Sequence, residues 1–105
     1  MSELQKFDAG KPRVSLVEPD FILGVAQVLT FGADKYGSHN WKKMTPEDID
    51  RFKDATLRHI LASQKGEHHD PESGIDHLLH AATNLMFLHW ASQQNRLMVN
   101  YDYPS

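Results

Sequence analysis

Cysteine is absent from this 105-residue chain. That excludes disulfides, thiolate metal ligands and a thiol nucleophile, and it suits a reducing compartment. Long apolar runs are absent too. Nothing approaches the length of a membrane span, and the opening MSELQKFDAGKPRV has no apolar core of the signal-peptide kind. Positive charge is scarce: eleven Lys and Arg stand against fourteen Asp and Glu, a net charge of −3. Such a chain lacks the basic footprint of a nucleic-acid or anionic-membrane binder, so no stable binding of either kind is expected. A cytoplasmic setting is. Internal repeats and low-complexity linkers are also missing. The chain reads as one helical domain over residues 1–105, with an N-terminal arm at 1–17 and an irregular tail at 96–105.

What is present is enough for a thin core. Hydrophobic residues make up 40%, including two Trp, three Tyr and five Phe. Histidine stands out with seven copies, five of them within the 22 residues from His59 to His80. Its ring titrates near neutrality and is the commonest metal-binding side chain.

Three segments have helical character, each opened by proline in its first turn. EPDFILGVAQVLTFGADKYG begins at Pro19, TPEDIDRFKDATLRHILASQKG at Pro46 behind Thr45, and DPESGIDHLLHAATNLMFLHWASQQ at Pro71 behind Asp70. Proline fits the first helical position because its missing N–H has no intrahelical partner there. Thr45 with Asp48 resembles a capping box, and Gly37 and Gly66 supply stops for the first two helices. The only strand-like alternation, RVSLV, is short. An all-α fold is expected.

In the third helix, 100° spacing puts Ile75, Leu78, Ala82, Leu85 and Met86 on one face. His77, His80, Ala81, Asn84, Leu88 and Ala91 fall opposite, with no Lys or Glu among them. A helix apolar nearly all round is buried nearly all round. Three helices cannot enclose one of their own so fully, so the expected architecture is a helical bundle of three main helices, completed by a homodimer or tetramer. His77, His80 and Asn84 then line an internal groove. On the second helix Phe52, Thr56, His59 and Ser63 share a stripe, with Arg58 at its flank, so His59 is expected to face His77.

Several clusters carry two readings. Glu67 and Asp70 can hold Mg²⁺ or Mn²⁺ through hard oxygens, or Asp70 can be the N-cap of the third helix and Glu67 a loop charge. Glu72 and Asp76 either belong to the same site or complement the helix dipole. His77 and His80, three residues apart, can share a metal or phosphate or can simply pack. In KYGSHNW, Tyr36 and Trp41 can stack on a base while Asn40 reads its edge and Lys35 meets a phosphate. Alternatively, Trp41 anchors a loop in the core. Lys11 and Arg13 lack P-loop spacing and remain candidate phosphate contacts. The His69–Asp70 pair within HHD is too little for an HD-type phosphohydrolase.

The ordered motifs FDAGKPR, VLTFGADKYGSHNW and LRHILASQKGEHHDPESGIDHLLHAATNLMFL, covering about Phe7 to Leu88, resemble a bacteriophage family of dATP/dGTP diphosphohydrolases. That family is related to MazG-like all-α nucleoside triphosphate pyrophosphohydrolases. The resemblance implies an oligomeric enzyme using Mg²⁺ (or Mn²⁺) that splits a purine deoxynucleoside triphosphate into monophosphate and pyrophosphate, in the cytoplasm of an infected host if phage-encoded. It points to Lys35, Tyr36, Asn40, Trp41, Arg58 and His80 at the nucleotide, beside Lys11, Arg13 and Asn84. Glu67, Asp70, Glu72 and His77 are the implied metal ligands, with His59, Glu67 and Glu72 in catalysis. One departure is plain: MazG-like enzymes carry ExxE on one helix and ExxD on the next. Here no ExxE occurs on the second helix, and Gly74 and His77 stand where the next helix would carry acids. The departure keeps open a non-catalytic alternative, a phage protein that sequesters a nucleotide or a cyclic-nucleotide defence signal.

Overall fold

The computed structural model describes residues 9–98, and side-chain surroundings as far as Gln94. The beginning of the arm, 1–8, and the end of the tail, 99–105, lie outside the described residues. Three α-helices account for most of it: α1 (Pro19–Tyr36), α2 (Pro46–Gln64) and α3 (His77–Met98). Single 3₁₀ turns at Val14–Leu16 and Asn40–Lys43 precede α1 and α2. Among the described residues there is no strand beyond one isolated bridge, His69 to Asp76, so RVSLV forms a turn and the all-α expectation holds.

Local chemistry explains the first two helices. Pro19 opens α1, and Gly37 at φ 92° closes it, its N–H donating to the Ala33 carbonyl. Few side chains adopt that φ without strain. Thr45 and Asp48 form the reciprocal capping box at the start of α2. The Asp48 N–H donates to Thr45 Oγ1 at 3.3 Å, and the Thr45 N–H donates to Asp48 Oδ2 at 2.9 Å. The Thr45 N–H, together with the Thr45 hydroxyl, holds the Asp48 carboxyl below its ordinary pKa.

The third helix departs from expectation at both ends. It begins at His77 and not at Pro71, so Asp70 is not its cap and Glu72 and Asp76 are not in its first turn. Asp70 Oδ1 accepts instead from the N–H groups of Glu72 (2.8 Å) and Ser73 (3.0 Å), closing a tight turn. Asp at the first turn position and Pro at the second favour that outcome. Gly74 then takes φ 74°, which a right-handed helix cannot contain. The real cap is Asp76, whose Oδ1 accepts from the Leu78 N–H at 2.7 Å. At the far end α3 continues to Met98, three residues into the segment expected to be irregular.

Helix α3 packs along α2 and less extensively against α1, while α1 and α2 barely meet. The inner face of α3 buries His77, Ala81, Thr83 and Ala91. Thr83, fully buried, returns its hydroxyl to the Leu79 carbonyl at 2.8 Å. Where α1 meets α3, Gly24 lies directly under the Leu79 methyls, and a Cβ there would run into them. The other face of α3 is not enclosed within one chain: Leu78 is 50% exposed and Leu85 54%.

Candidate functional site

Two features meet beside α3: a cluster of three histidines with two carboxylates, and an open cavity. The cluster grows from the α2–α3 hairpin. His59 on α2 and His77 on α3 touch through Nδ1 atoms 2.7 Å apart, as the stripe positions predict. His77 is buried, and its Nε2 lies 2.7 Å from Glu67 Oε1. A carboxylate only accepts, so His77 Nε2 carries the proton and His77 Nδ1 the lone pair. His59 Nδ1 must then donate, which leaves its Nε2 lone pair free. His80 stacks on His59 with ring centroids 4.8 Å apart at 10°. The Ser73 hydroxyl holds His80 Nε2 at 2.7 Å.

Burial favours the neutral form of His59 and of His80. Burial lowers the His59 pKa, and the nearby His80 and His77 lower it further. Burial also lowers that of His80, partly opposed by Asp70. Partial burial pushes Asp70 upward, but the Ser73 and Glu72 N–H groups and the two histidines outweigh it, so its carboxyl titrates below the ordinary range.

Within this cluster, His59, Asp70 and His77 each offer a donor atom, all within 4.8 Å of one another. These three can hold a metal ion. Two of the three donors are imidazoles, which suit a transition-metal ion better than Mg²⁺, an ion of oxygen ligands. The glutamates expected beside them are engaged elsewhere. Glu67 holds His77, and Glu72 Oε2 accepts from Lys35 Nζ at 2.7 Å.

The cavity lies next door, with a volume of about 540 Å³, within the usual range for small-molecule sites. Its walls come from the second half of α1 and the loop to α2, including Lys35, Tyr36, Asn40 and Trp41. Phe52 on α2, Glu72, and His80, Asn84 and Phe87 on α3 complete it. Trp41 stacks on Phe87 at 4.8 Å and meets Trp90 edge-on at 5.3 Å. The loop-anchor reading of Trp41 is therefore realised, and its ring still borders the cavity. Lys35 sits at the wall with Nζ 5.2 Å from the Tyr36 ring, and the Glu72 carboxylate raises its pKa. In the connecting loop His39 adopts the left-handed conformation at φ 57°, a choice uncommon outside glycine.

Of the expected nucleotide contacts, Lys35, Tyr36, Asn40, Trp41, His80 and Asn84 come together around this cavity. Lys11, Arg13 and Arg58 are exposed and do not line it. Sequence reading placed Phe52 on the His59 stripe without giving it a role at the ligand, and it passed over Phe87 and Ser73. Phe87 was within reach of it, since it follows His80 and Asn84 at helical spacing. No local pattern links Ser73 to His80.

With this geometry in view, the comparisons with known proteins carry weight. The family model described as dATP/dGTP diphosphohydrolase, N-terminal, matches residues 1–100. The chain belongs to that family. A dATP/dGTP diphosphohydrolase of Salmonella phage PMBT28 is 46% identical over 85 residues, which is 81% of this chain. The aligned part is 28% of that relative, so the chain spans little more than a quarter of its length. No solved structure matches the chain. The family match covers both the cavity wall and the whole histidine hairpin.

Proposed function

We propose that the cavity binds a purine deoxynucleoside triphosphate and that the protein hydrolyses it to monophosphate and pyrophosphate. The observation that carries this reading is the junction itself: an aromatic cavity with one lysine on its wall reaches the histidine cluster through His80, which lines the cavity and stacks on His59. The phage relative named dATP/dGTP diphosphohydrolase supports the choice of substrate. The base lies against Trp41 and Tyr36, with the amides of Asn40 and Asn84 at its edge. A base–aromatic stack contributes about 1–3 kcal/mol. The triphosphate takes Lys35 from Glu72, and His80 donates to a phosphate oxygen. Water attacks the α-phosphorus, the bond to the bridging oxygen breaks, and pyrophosphate leaves with the electron pair. His59 Nε2, which holds a lone pair, accepts the proton of the water. Glu67 acts through His77 to keep that tautomer in place. A divalent ion carried with the triphosphate would neutralise the charge of the leaving pyrophosphate. Lys11, Arg13 and Arg58 belong to the reading only as outer phosphate contacts. If the chain is phage-encoded, the reaction belongs to the cytoplasm of the infected bacterium, where the nucleotide pool lies. Among the described residues no helix is long and apolar enough to cross a membrane.

A second reading, nucleotide or cyclic-nucleotide capture without cleavage, is left by the missing ExxE motif, and the name of the phage relative does not favour it. One experiment separates the readings. The protein is incubated with dATP or dGTP and Mg²⁺ or Mn²⁺, the products are resolved, and binding is measured by calorimetry. Equal release of monophosphate and pyrophosphate, reduced at least about 100-fold in His59→Ala, is the expected result. Binding with the nucleotide left intact establishes capture instead, and absence of both binding and turnover sinks both readings.

A further inference from the structure

We infer that the histidine hairpin is a transition-metal site, formed by His59, His77 and Asp70 and oriented from outside by Glu67. The inference rests on the side-chain geometry alone and stands whether or not a nucleotide is cleaved. Two imidazoles and one carboxylate are the donor set of ions such as Zn²⁺, Co²⁺, Mn²⁺ or Fe²⁺, not of Mg²⁺.

Three observations point the same way. The three donor atoms already lie within 4.8 Å of one another. His77 is buried and presents its Nδ1 lone pair to the cluster, because its Nε2 proton is held by Glu67 at 2.7 Å. A carboxylate behind a histidine behind a metal is the arrangement that fixes ring orientation and strengthens the ligand. Asp70 satisfies its turn with Oδ1 only, since Glu72 and Ser73 both donate to that atom, and Oδ2 is left over as a ligand.

The proton balance is simple. In the ion-free protein one proton sits between His59 Nδ1 and His77 Nδ1, which are 2.7 Å apart. An ion entering there replaces that proton. His59 gives up the proton at Nδ1 and takes one at Nε2, so the imidazole stays neutral and no net proton is released. The two nitrogens must part to roughly 3.3 Å for tetrahedral ligation at ordinary metal–nitrogen distances, a change that side-chain rotation supplies. The fourth position is left to water or to a ligand oxygen. In the loaded state His59 is closed as a base, so metal loading and metal-free proton acceptance by His59 are alternatives at one centre.

The test is a titration of the EDTA-stripped full chain with Co²⁺ and Zn²⁺ in the absence of nucleotide. It is read by the visible ligand-field absorption of cobalt and by calorimetry. One ion per chain is expected, with an absorption of low-coordinate cobalt that a thousandfold excess of Mg²⁺ does not remove. His59→Ala and Asp70→Asn abolish it. The asparagine keeps an oxygen for the turn, and circular dichroism confirms that both variants fold. Glu67→Gln weakens binding by about 10–100-fold without abolishing it. His68→Ala and His69→Ala, at the exposed neighbouring imidazoles, leave it unchanged. Three results overturn the inference: no saturable binding, binding that follows His68 or His69, or equal displacement by Mg²⁺.

Discussion

At the scale of single residues, the pair Lys35–Glu72 is the most informative contact. It joins α1 to the turn before α3 across 37 positions of sequence at 2.7 Å, with the Glu72 carboxylate largely in water. An ion pair this exposed adds little to stability, because solvent and salt screen it. Its consequence is for the cavity: it occupies the one lysine on the wall. Removing the carboxylate therefore frees Lys35 for phosphate. Glu72→Gln is expected to tighten triphosphate binding several-fold at low salt, and Lys35→Ala to weaken it by about tenfold, both by calorimetry. If Glu72→Gln weakens binding as much as Lys35→Ala does, Glu72 is itself in contact with the ligand.

At the scale of elements, the turn Asp70–Gly74 decides where chemistry sits. Had α3 begun at Pro71, Asp70 would have spent its carboxylate on a helix end. The extra turn lets Asp70 face the histidines while Asp76 takes over the cap. Gly74 makes this possible at φ 74°, with open space around it. Gly74→Ala is thus expected to cost backbone strain alone, about 1–2 kcal/mol, and to lower Tm by about 4–12 °C in a domain of this size. Calorimetric melting checks it, and an unchanged Tm would mean that the turn has another accessible shape. This element also marks the limit of reading sequence. The starts at Pro19 and Pro46, the Thr45–Asp48 box, the stops at Gly37 and Gly66, and the facing of His59 and His77 all follow from local punctuation and the 3.6-residue period. Asp70–Pro71 offers the same punctuation and is answered differently, because Ser73, Gly74 and Asp76 outbid it with a turn and a second cap. Lys35–Glu72, Glu67–His77 and Trp41–Phe87 come from tertiary packing, so no spacing rule exposes them.

At the scale of the whole molecule, a single chain leaves apolar side chains bare on every helix. Phe21, Ile22 and Leu23 on α1, Leu57 and Leu61 on α2, and Leu78, Leu85 and Met86 on α3 are all exposed. Each such side chain contributes about 1.5–3 kcal/mol when fully covered, and stretches of this extent mark association surfaces. We expect a homodimer or tetramer in solution, with α3 enclosed from its outer side. Leu78→Asp combined with Leu85→Asp should lower the mass seen by light scattering to that of one chain. It should also make Tm independent of protein concentration. A wild-type protein that is already monomeric at micromolar concentration would refute this.

The hairpin has one more consequence. His59, Glu67, Asp70, His77 and His80 come from one uninterrupted stretch of 22 residues, whereas the cavity also draws on α1 and the loop around Trp41. The proposed centre thus closes over short sequence distances, at little cost in chain entropy, and the cavity wall is contributed largely by a different part of the chain. Mutation can reshape the wall, and with it the ligand accepted, while the centre is inherited intact. Diversity of specificity among relatives should accordingly concentrate between residues 28 and 41, not in the hairpin.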